Sequence, residues 1–573
     1  MNNKKLFSGS CNWKILIAYI VICVMIMPAT RCCAENNILI TPQPQELTTK
    51  NYDVPIIKGW WLTVDKNNKE NLFSARYLEH QLMSKFNFNL PIEKTTFIDK
   101  EKRIILGTVE DSVVRETIKR LKIHIPETIG QEGYILEVFD DCIVIVGNEA
   151  AGVFYGVQTL LQLVKKKDNN IVVPAVKITD YPTTKNRGVH ILDMDFNKIK
   201  AQLDQIAQLK MNVAIIQSAN YFKLNKRDNQ RKFREIFSYA RDRHIEPIPE
   251  VTSFSVGQFV LTEDPHAAEG IWVIDEHFKF VNDEAEPLNP TKHSLVNVIR
   301  SEDSNVCVKC LDKTKTYKEG IDYKIVEGDI AYPFSLGKQP TKIIRIPDGS
   351  IKSGAEVLIS YDYVERMCSY AVWSVPYCPS SERTYKIMFR TLRDVIQILH
   401  PRYISIGHDE IRGLNRDSRC RKRNLSNAEL MADEINRLND SVKDIDPDVR
   451  LLMWDDMLNP WHNGGDENYQ VQFGGLPGKT APALDLISED IVLIIWWSDK
   501  KDWLEKMKRS PDYFEAKGFE YLVSGSSDMK NIENWIKIIR DRKKGLGIII
   551  ASWKGFENNI EAIKFAAEHS WTE

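Results

Sequence analysis

The chain has 573 residues, of which 43% are hydrophobic and 27% charged, and its formal net charge is −2. Two or three domains are expected, because this length exceeds what one compact core accommodates. The composition is typical of a soluble globular protein. The nearly balanced charge, with no large basic block, argues against nucleic acid or an anionic membrane surface as the main partner.

The N-terminal segment has the pattern of a secretory signal peptide over residues 1–34. Lys4, Lys5 and Lys14 precede an apolar run over residues 15–28, and small residues ending at Ala34 follow. A positive start, an apolar middle and small residues at the exit define such a peptide. An uncleaved anchor helix is the alternative, although the run is short for a full membrane span. We therefore expect export (periplasmic, envelope-associated or extracellular), with no stable membrane insertion after signal removal.

Six of the ten cysteines lie beyond this segment. Some of them could pair in an oxidising compartment, and Cys368 with Cys378 is a candidate pair. Cys307 and Cys310 form a single CxxC motif without a second pair or a nearby His, so a local disulfide or two free thiols are favoured over zinc. The sequence predicts no metal site and no cofactor, and it indicates no particular oligomeric state.

Residues 35–182 predict an α+β domain. The apolar runs over 134–138 and 142–147 flank Asp140 and Asp141 and predict a hairpin. The segment 152–164 has the apolar spacing of a helix and should pack on the same sheet.

From residue 183 to residue 573 the pattern becomes a repeated strand followed by a helix. Most of the strand candidates are continuous apolar runs, as expected for parallel strands buried on both faces. Eight predicted strands in order indicate a (β/α)8 TIM barrel, so the fold class is α/β. They span residues 188–192, 213–217, 246–251, 403–407, 450–454, 491–497, 521–524 and 547–553. Helices are predicted over 200–209, 228–243, 382–399 and 427–443.

The connection between the third and fourth barrel strands is unusually long. Residues 267–365 contain alternating apolar runs separated by Gly, Pro and Asp, which predict a small inserted all-β domain. The insert leaves from the C-terminal side of the third strand and should therefore stand beside the active-site mouth. A structural or dimerisation role and a role in substrate binding both remain open.

The segment from Tyr403 to Ile411 carries the strongest chemical signal. Apolar residues continue up to Gly407, and His408, Asp409 and Glu410 follow where the strand should open onto the barrel mouth. Charged groups at the end of a buried strand are costly unless they are used or paired. A structural ion pair or a helix cap is the alternative, but this rim supplies the chemistry of TIM-barrel enzymes. The sequence therefore predicts that Asp409 and Glu410 are catalytic.

An ordered set of motifs resembles glycoside hydrolase family 20, the β-N-acetylhexosaminidase group. The likeness extends from about residue 38 to the C-terminus, apart from the insert. The motifs are Gly133-Tyr-Ile-Leu-Glu-Val138, Ile178-Thr-Asp-Tyr-Pro182, Lys210-Met-Asn212, Ile245-Glu-Pro-Ile-Pro-Glu250, Pro379-Ser-Ser-Glu-Arg-Thr-Tyr385 and Gly407-His-Asp-Glu410. The resemblance implies that residues 35–182 are a zincin-like domain preceding a catalytic barrel.

The resemblance also implies the chemistry. In this family the 2-acetamido carbonyl of the substrate is the nucleophile, and the anomeric configuration is retained. Asp409 would orient and stabilise the acetamido group. Glu410 would protonate the leaving oxygen and then deprotonate water. The expected partner is therefore a 2-acetamido glycan, and this chemistry needs no metal.

Other residues at predicted strand ends are candidates for substrate binding. Trp454, Trp497 and Trp553 should wall the pocket, because sugar pockets favour aromatic faces. Trp496 is expected to point outward, since neighbours on a strand alternate. Asp455 and Asp456 either bind sugar hydroxyls or cap the following helix. Glu250 is expected to support the site by hydrogen bonding. His408 tunes the charge of the catalytic pair, contacts substrate or has a structural role.

Several expected substrate contacts of the family are missing. Asp195 stands near the place of an Arg that clamps sugar hydroxyls, which inverts the charge there. Ser405 replaces a His before the catalytic pair, Thr252-Ser-Phe-Ser255 replaces a Pro-Gly-His motif, and residues 521–528 contain no clear match to a Tyr that holds the acetamido oxygen.

The altered contacts favour a hydrolase of changed specificity. A degenerate carbohydrate-binding protein is one alternative. A two-carboxylate retaining glycosidase with Glu250 or Asp455 as nucleophile is the other.

Overall fold

The computed structural model describes residues 38–97, 101–167, 170–335, 339–365, 375–465, 479–497 and 503–572. The predicted signal peptide and Cys368 lie outside these residues. Residues Ile40–Glu573 form one compact unit. The domain boundaries at 182–183 and around 267–365 therefore stay predictions, although three separate sheets occupy the three segments.

The first sheet contains the strands before residue 181 in the order β1-β8-β5-β6-β4-β2-β3, with β7 paired to β8. The predicted hairpin is confirmed as the antiparallel pair β5 and β6. The predicted helix over 152–164 is confirmed as α3, which packs on β6. The strands are β1 (Glu46–Ile56), β2 (Trp61–Asp65), β3 (Ile92–Thr95), β4 (Arg103–Thr108), β5 (Tyr134–Val138), β6 (Cys142–Gly147), β7 (Lys165–Lys167) and β8 (Asn170–Asp180), and the helices are α1 (Glu70–Phe86), α2 (Ser112–Leu121) and α3 (Ala150–Leu163).

Eight parallel strands close into a barrel, in agreement with the predicted strand order. Alternate residues of these strands, such as Ile215, Ile494 and Ile549, pack together in one apolar cluster. The strands are β9 (Asn186–Leu192), β10 (Val213–Gln217), β11 (Glu246–Ser253), β20 (Tyr403–Gly407), β21 (Arg450–Trp454), β22 (Val492–Trp496), β23 (Tyr521–Gly525) and β24 (Gly545–Ala551).

Helices connect these strands, and the four predicted helices are present with shifts of a few residues at some ends. The helices are α4 (Phe196–Gln208), α5 (Arg227–Arg241), α6 (Gln258–Glu263), α7 (Glu382–Leu399), α8 (Ser418–Lys422), α9 (Asn427–Ile445), α10 (Trp503–Ala516), α11 (Met529–Ile539) and α12 (Ile560–Trp571). Within the described part of the chain, no helix has both the length and the apolar character needed to cross a bilayer.

A third sheet lies between β11 and β20 in the chain, where the insert is predicted. Its order is β16-β15-β19-β12-β13-β18-β17, and β14 pairs with β19. Phe278, Phe280, Val357 and Ile359 belong to its own buried core. The strands are β12 (Ile271–Val281), β13 (Glu284–Pro287), β14 (Val298–Ile299), β15 (Cys307–Cys310), β16 (Thr316–Tyr317), β17 (Tyr323–Val326), β18 (Lys342–Arg345) and β19 (Glu356–Tyr363).

Candidate active site

A cavity of about 600 Å³ opens at the C-terminal ends of the barrel strands. All eight strand ends contribute to its lining, which is the arrangement expected of a TIM-barrel site. The lining residues in the described part of the chain are Leu192, Gln217, Glu250, Thr252, Val256, Gln258, Asp409, Glu410, Trp454, Trp496, Trp497, Ser524, Gly525, Ser526, Ala551 and Trp553. The structure therefore brings together six of the eight residues that the sequence predicts for the site.

The backbone after β20 turns sharply and carries the two acidic residues into this cavity. Gly407, His408 and Glu410 have φ angles of 73°, 71° and 49°. Positive φ is costly for residues with a Cβ atom and persists only where the surroundings impose it, most often at functional sites. The adjoining strand β11 is also irregular, with a register shift between Glu250 and Ser253 where it pairs with β20. Both irregularities occur at the predicted catalytic pair.

Asp409 lies among other acidic groups. Burial, followed by the negative charges of Asp456, Glu410 and Glu250, raises the pKa of Asp409 well above its ordinary value of 3.8. Among the residues that the structure describes, no side chain donates a hydrogen bond to the Asp409 carboxyl group. A negative charge on Asp409 is therefore costly in the ligand-free protein, and positive charge arriving in the cavity would relieve this cost.

Glu410 has a different environment, because a cation contacts it directly. The Arg412 guanidinium donates from Nη2 to Glu410 Oε2 and is itself 5% exposed. The Glu410 backbone N–H donates to Asp456 Oδ2 over 2.9 Å, and Asn463 Nδ2 donates to the same oxygen over 2.7 Å. Asp456 thus holds the loop that presents Glu410, and burial raises the pKa of Asp456 to about 6.

Glu250 lines the cavity and is held at both carboxylate oxygens. Ser405 Oγ donates to Glu250 Oε2 over 2.8 Å, and His190 Nε2 lies 3.2 Å from Oε1. Glu250, His190 and Ser405 are all buried. Ser405, which stands where the family has a His before the catalytic pair, therefore donates a hydrogen bond to Glu250. These contacts are those of a residue that supports the site, as predicted for Glu250 from the sequence.

Four Trp side chains line the cavity. Trp454 and Trp497 are buried, whereas Trp553 is 52% exposed at the rim and lies 5.4 Å from Trp454 between ring centroids. The expectation that Trp496 points outward is wrong. Strand β22 ends at Trp496, so the strict alternation of a strand does not extend to Trp497, and both residues line the cavity. Trp496 Nε1 also donates to Asp456 Oδ1 over 3.4 Å.

Asp455 does not reach the cavity lining, so its predicted contact with substrate is not supported. It is buried, with Oδ2 accepting from Asn459 Nδ2 over 2.8 Å and Oδ1 accepting from the Trp496 backbone N–H over 3.1 Å. These bonds fix the ends of β21 and β22. Burial raises the pKa of Asp455 well above 3.8.

His408 is also absent from the lining, because its side chain turns into the protein. Its Nε2 contacts Glu434 Oε2, and its Nδ1 lies 3.0 Å from Ser253 Oγ. Both His408 and Glu434 are fully buried. Of the three roles considered for His408, the geometry supports the structural one.

The structure also shows what occupies the positions of the missing family residues. Asp195 is exposed and caps α4, accepting from the Asn197 backbone N–H over 2.8 Å. Ser524 and Ser526 line the cavity at the end of β23, where the family has Tyr. Among the described lining residues there is no Arg or Lys, and Gln217, Thr252 and Gln258 supply further polar groups. The sequence analysis did not single out these Ser, Gln and Thr residues. Their positions at or just beyond strand ends were the available signal, but such polar residue types are also common at surfaces without a function.

Comparisons with known proteins agree with this fold. Residues 37–181 match the family model "Glycosyl hydrolase family 20, domain 2". A β-hexosaminidase of Porphyromonas gingivalis is 28% identical over 218 residues, an alignment that covers 28% of this chain and 28% of that protein. The chain thus matches little more than a quarter of the length of this curated relative.

Solved structures show the same overall fold over 93% of this chain. The Vibrio harveyi GH20 exo-β-N-acetylglucosaminidase in complex with N-acetylglucosamine has a TM-score of 0.58 at 14% identity, with 73% of that chain covered. The β-N-acetylhexosaminidase of Bacteroides fragilis has a TM-score of 0.58 at 14% identity, with 91% covered. The match of residues 37–181 to this family model and the curated β-hexosaminidase relative support the resemblance to glycoside hydrolase family 20 that is seen in the motifs.

Proposed function

We propose that the protein is an exported glycoside hydrolase that removes 2-acetamido sugars by substrate-assisted, retaining catalysis. One observation carries the proposal: Asp409 and Glu410 stand side by side in a Trp-lined cavity at the C-terminal end of the barrel. The names of the relatives, β-hexosaminidase and β-N-acetylglucosaminidase, suggest the same substrate class. The signal-peptide pattern over residues 1–34 supports export.

Glu410 serves as the acid and then as the base. It donates a proton to the glycosidic oxygen while the acetamido carbonyl oxygen of the substrate attacks the anomeric carbon, so the leaving group departs and an oxazolinium-like ring forms. Glu410 then takes a proton from water, which attacks the same carbon and opens the ring. Two inversions retain the anomeric configuration. Arg412 must release or rearrange its contact with Glu410 when the acid form is needed.

Asp409 stabilises the positive charge that develops on the acetamido group. Its carboxylate accepts a hydrogen bond from the acetamido N–H and thereby orients the carbonyl oxygen. The surrounding carboxylates make a negative charge on Asp409 costly before the reaction. Positive charge in the transition state offsets that repulsion, so the interaction is stronger in the transition state than in the ground state, which is the requirement for catalysis.

The Trp residues provide the apolar walls of the sugar site. Trp454, Trp496 and Trp497 surround the inner cavity, and Trp553 forms the rim. A cavity of about 600 Å³ falls within the usual range for small-molecule sites, roughly 300–1,000 Å³. The absence of Arg and Lys from the described lining suggests that sugar hydroxyls are read by Gln, Thr and Ser side chains, and hence that the preferred sugar configuration differs from that of enzymes with an Arg clamp.

A carbohydrate-binding protein without turnover is the second candidate, because Arg412 contacts one of the two carboxyl oxygens of Glu410, the group that would donate the proton. The two-carboxylate alternative has less support. Both oxygens of Asp455 are bonded away from the cavity, and His190 and Ser405 occupy both oxygens of Glu250. Asp455 therefore lies outside the cavity lining, and the Glu250 carboxylate is held by two partners in the position of a supporting residue.

The test is hydrolysis of aryl N-acetylglucosaminide and N-acetylgalactosaminide by the wild type, Glu410→Gln and the control Glu557→Gln, whose side chain is exposed. We expect the control to match the wild type and Glu410→Gln to lose about 10²–10⁴-fold in kcat. A thiazoline mimic of the cyclic intermediate should inhibit the wild type. Binding of glycans without hydrolysis by the wild type would favour the binding protein, and turnover that is insensitive to the thiazoline would favour the two-carboxylate mechanism.

A further inference from the structure

We infer that Glu269, Cys378, Asp417 and Cys420 form a structural zinc site at the root of the inserted sheet, outside the proposed active site. Each side chain offers one ligand atom, and these four atoms lie within 4.8 Å of one another. All four residues are buried, with at most 6% exposure. The CxxC motif of Cys307 and Cys310 does not take part in this cluster.

The distances suit a tetrahedral metal ion. Cys378 Sγ lies 3.5 Å from Cys420 Sγ, and Cys420 Sγ lies 3.4 Å from Glu269 Oε2. Two thiolates that bind one tetrahedral zinc ion at about 2.3 Å are separated by roughly 3.7 Å. The thiols are therefore close to the spacing of zinc ligands, and zinc accepts both sulfur and carboxylate oxygen.

The composition of the cluster also favours a cation. Its ligand atoms are two cysteine sulfurs and two carboxylate oxygens, so a divalent ion bound here would be matched by negatively charged ligands once the thiols release their protons.

One nearby cation, Arg419, is already committed to other groups. Its Nε donates to Asp417 Oδ2 over 2.8 Å, and its Nη1 donates to the His266 carbonyl oxygen over 3.0 Å. The Cys420 backbone N–H donates to Asp417 Oδ1 over 2.9 Å. Asp417 Oδ2 accepts from both Nε and Nη2 of Arg419, whereas Oδ1 keeps a second lone pair, so Oδ1 can still complete the ligand set of the two thiolates and Glu269.

The site would join three segments that are distant in sequence. Glu269 belongs to the entry into the inserted sheet, Cys378 precedes α7, and Asp417 and Cys420 follow the loop that carries the proposed catalytic pair. The Cys378 backbone N–H also donates to the Ala267 carbonyl oxygen over 2.7 Å. A bound zinc ion would anchor the far end of the catalytic loop to the root of the insert and thereby stabilise both.

The experiment measures zinc by elemental mass spectrometry in the full-length protein after incubation with zinc and removal of excess metal. The variants are Cys378→Ser and Cys420→Ser, with the double variant Cys307→Ser/Cys310→Ser as the matched control. We expect about one tightly bound zinc ion per chain in the wild type and the control, and a loss of this zinc in each single variant. Cobalt(II) in place of zinc should give a thiolate charge-transfer absorption band in the wild type and the control alone.

A chelator experiment on the wild type keeps the inference testable if the single variants do not fold. Removal of zinc should lower the thermal unfolding midpoint, and added zinc should restore it. Wild-type protein that binds no zinc after reduction, or zinc retained in a folded Cys378→Ser variant, would overturn the inference. So would peptide mapping of the native protein that finds Cys378 and Cys420 joined in a disulfide. None of these measurements depends on hydrolysis, so the inference stands or falls separately from the proposed function.

Discussion

Replacing Lys210 by Met would remove the cation from a fully buried ion pair between the barrel and the first sheet. Lys210 Nζ lies 2.7 Å from Asp180 Oδ2, and both side chains have 0% exposure. Lys210 follows α4, and Asp180 ends β8. The pair joins two motifs that are separated in sequence, around residues 180 and 210.

The magnitude follows from the partners that Asp180 keeps. Removing one partner of a buried ion pair costs about 3–5 kcal/mol, because the remaining charge is uncompensated. Tyr134 OH still donates to Asp180 over 2.5 Å and Trp571 Nε1 over 2.7 Å. Since these donors continue to stabilise the carboxylate, we expect Lys210→Met to lower the free energy of unfolding by about 3 kcal/mol, the lower end of that range.

The double variant Lys210→Met/Asp180→Asn separates the charge from the packing. Burial lowers the pKa of Lys210 in spite of its contact with Asp180, so desolvation offsets part of the attraction in the wild type. Neutralising both members removes the uncompensated charge. The double variant should therefore be more stable than Lys210→Met.

The assay is equilibrium urea unfolding followed by Trp fluorescence. The control is Lys564→Met, which breaks an exposed ion pair with Glu561 at 2.8 Å and should cost less than about 0.5 kcal/mol. If Lys210→Met were as stable as this control, or if the double variant were less stable than Lys210→Met, the reasoning about the buried charge would be refuted.

Three further predictions concern the site. Asp409→Asn should abolish hydrolysis yet raise the free energy of unfolding above pH 3.8. Because the pKa of Asp409 is raised in the folded protein, the folded wild type keeps a proton that the unfolded chain releases, and the wild type loses stability as the pH rises above about 3.8 towards the pKa of the folded state. Urea unfolding at several pH values should show that the stability difference in favour of the variant grows with pH over this range. Trp553→Ala should raise KM about three- to tenfold in steady-state kinetics with little change in kcat, because a half-exposed ring loses only a stacking contact; a loss confined to kcat would contradict this. Glu434→Gln should destabilise the protein by about 1–3 kcal/mol in urea and lower kcat more than it raises KM, because Glu434 holds His408 beside the catalytic pair through a buried hydrogen bond; unchanged stability would show that the contact is unimportant.

The barrel strands were predictable because their signal is local. A parallel strand covered on both faces is mostly apolar, so most of the eight strands appear as continuous runs. Polar residues that interrupt such a run mark the point where the chain leaves the barrel. This is why His408, Asp409 and Glu410 could be placed at the rim before any contact was known.

Side-chain direction beyond the strand ends was not predictable in the same way. The alternation rule failed for Trp496 because β22 ends there. Asp455 and His408 are as close in sequence to the rim as the cavity residues, yet both turn inward to partners such as Asn459 and Glu434. Irregular backbone with positive φ has no fixed side-chain period, and sequence spacing alone cannot assign a direction.

The sequence by itself determined the order of secondary structure, the barrel and the position of the acidic pair, because hydrophobic periodicity and strand termination are properties of contiguous residues. Only the tertiary structure decided which distant groups meet: His190 and Ser405 at Glu250, Lys210 at Asp180, and Cys378 at Cys420. Such contacts depend on how closed sheets and long connections bring remote segments together, and a single sequence carries no local pattern that specifies them.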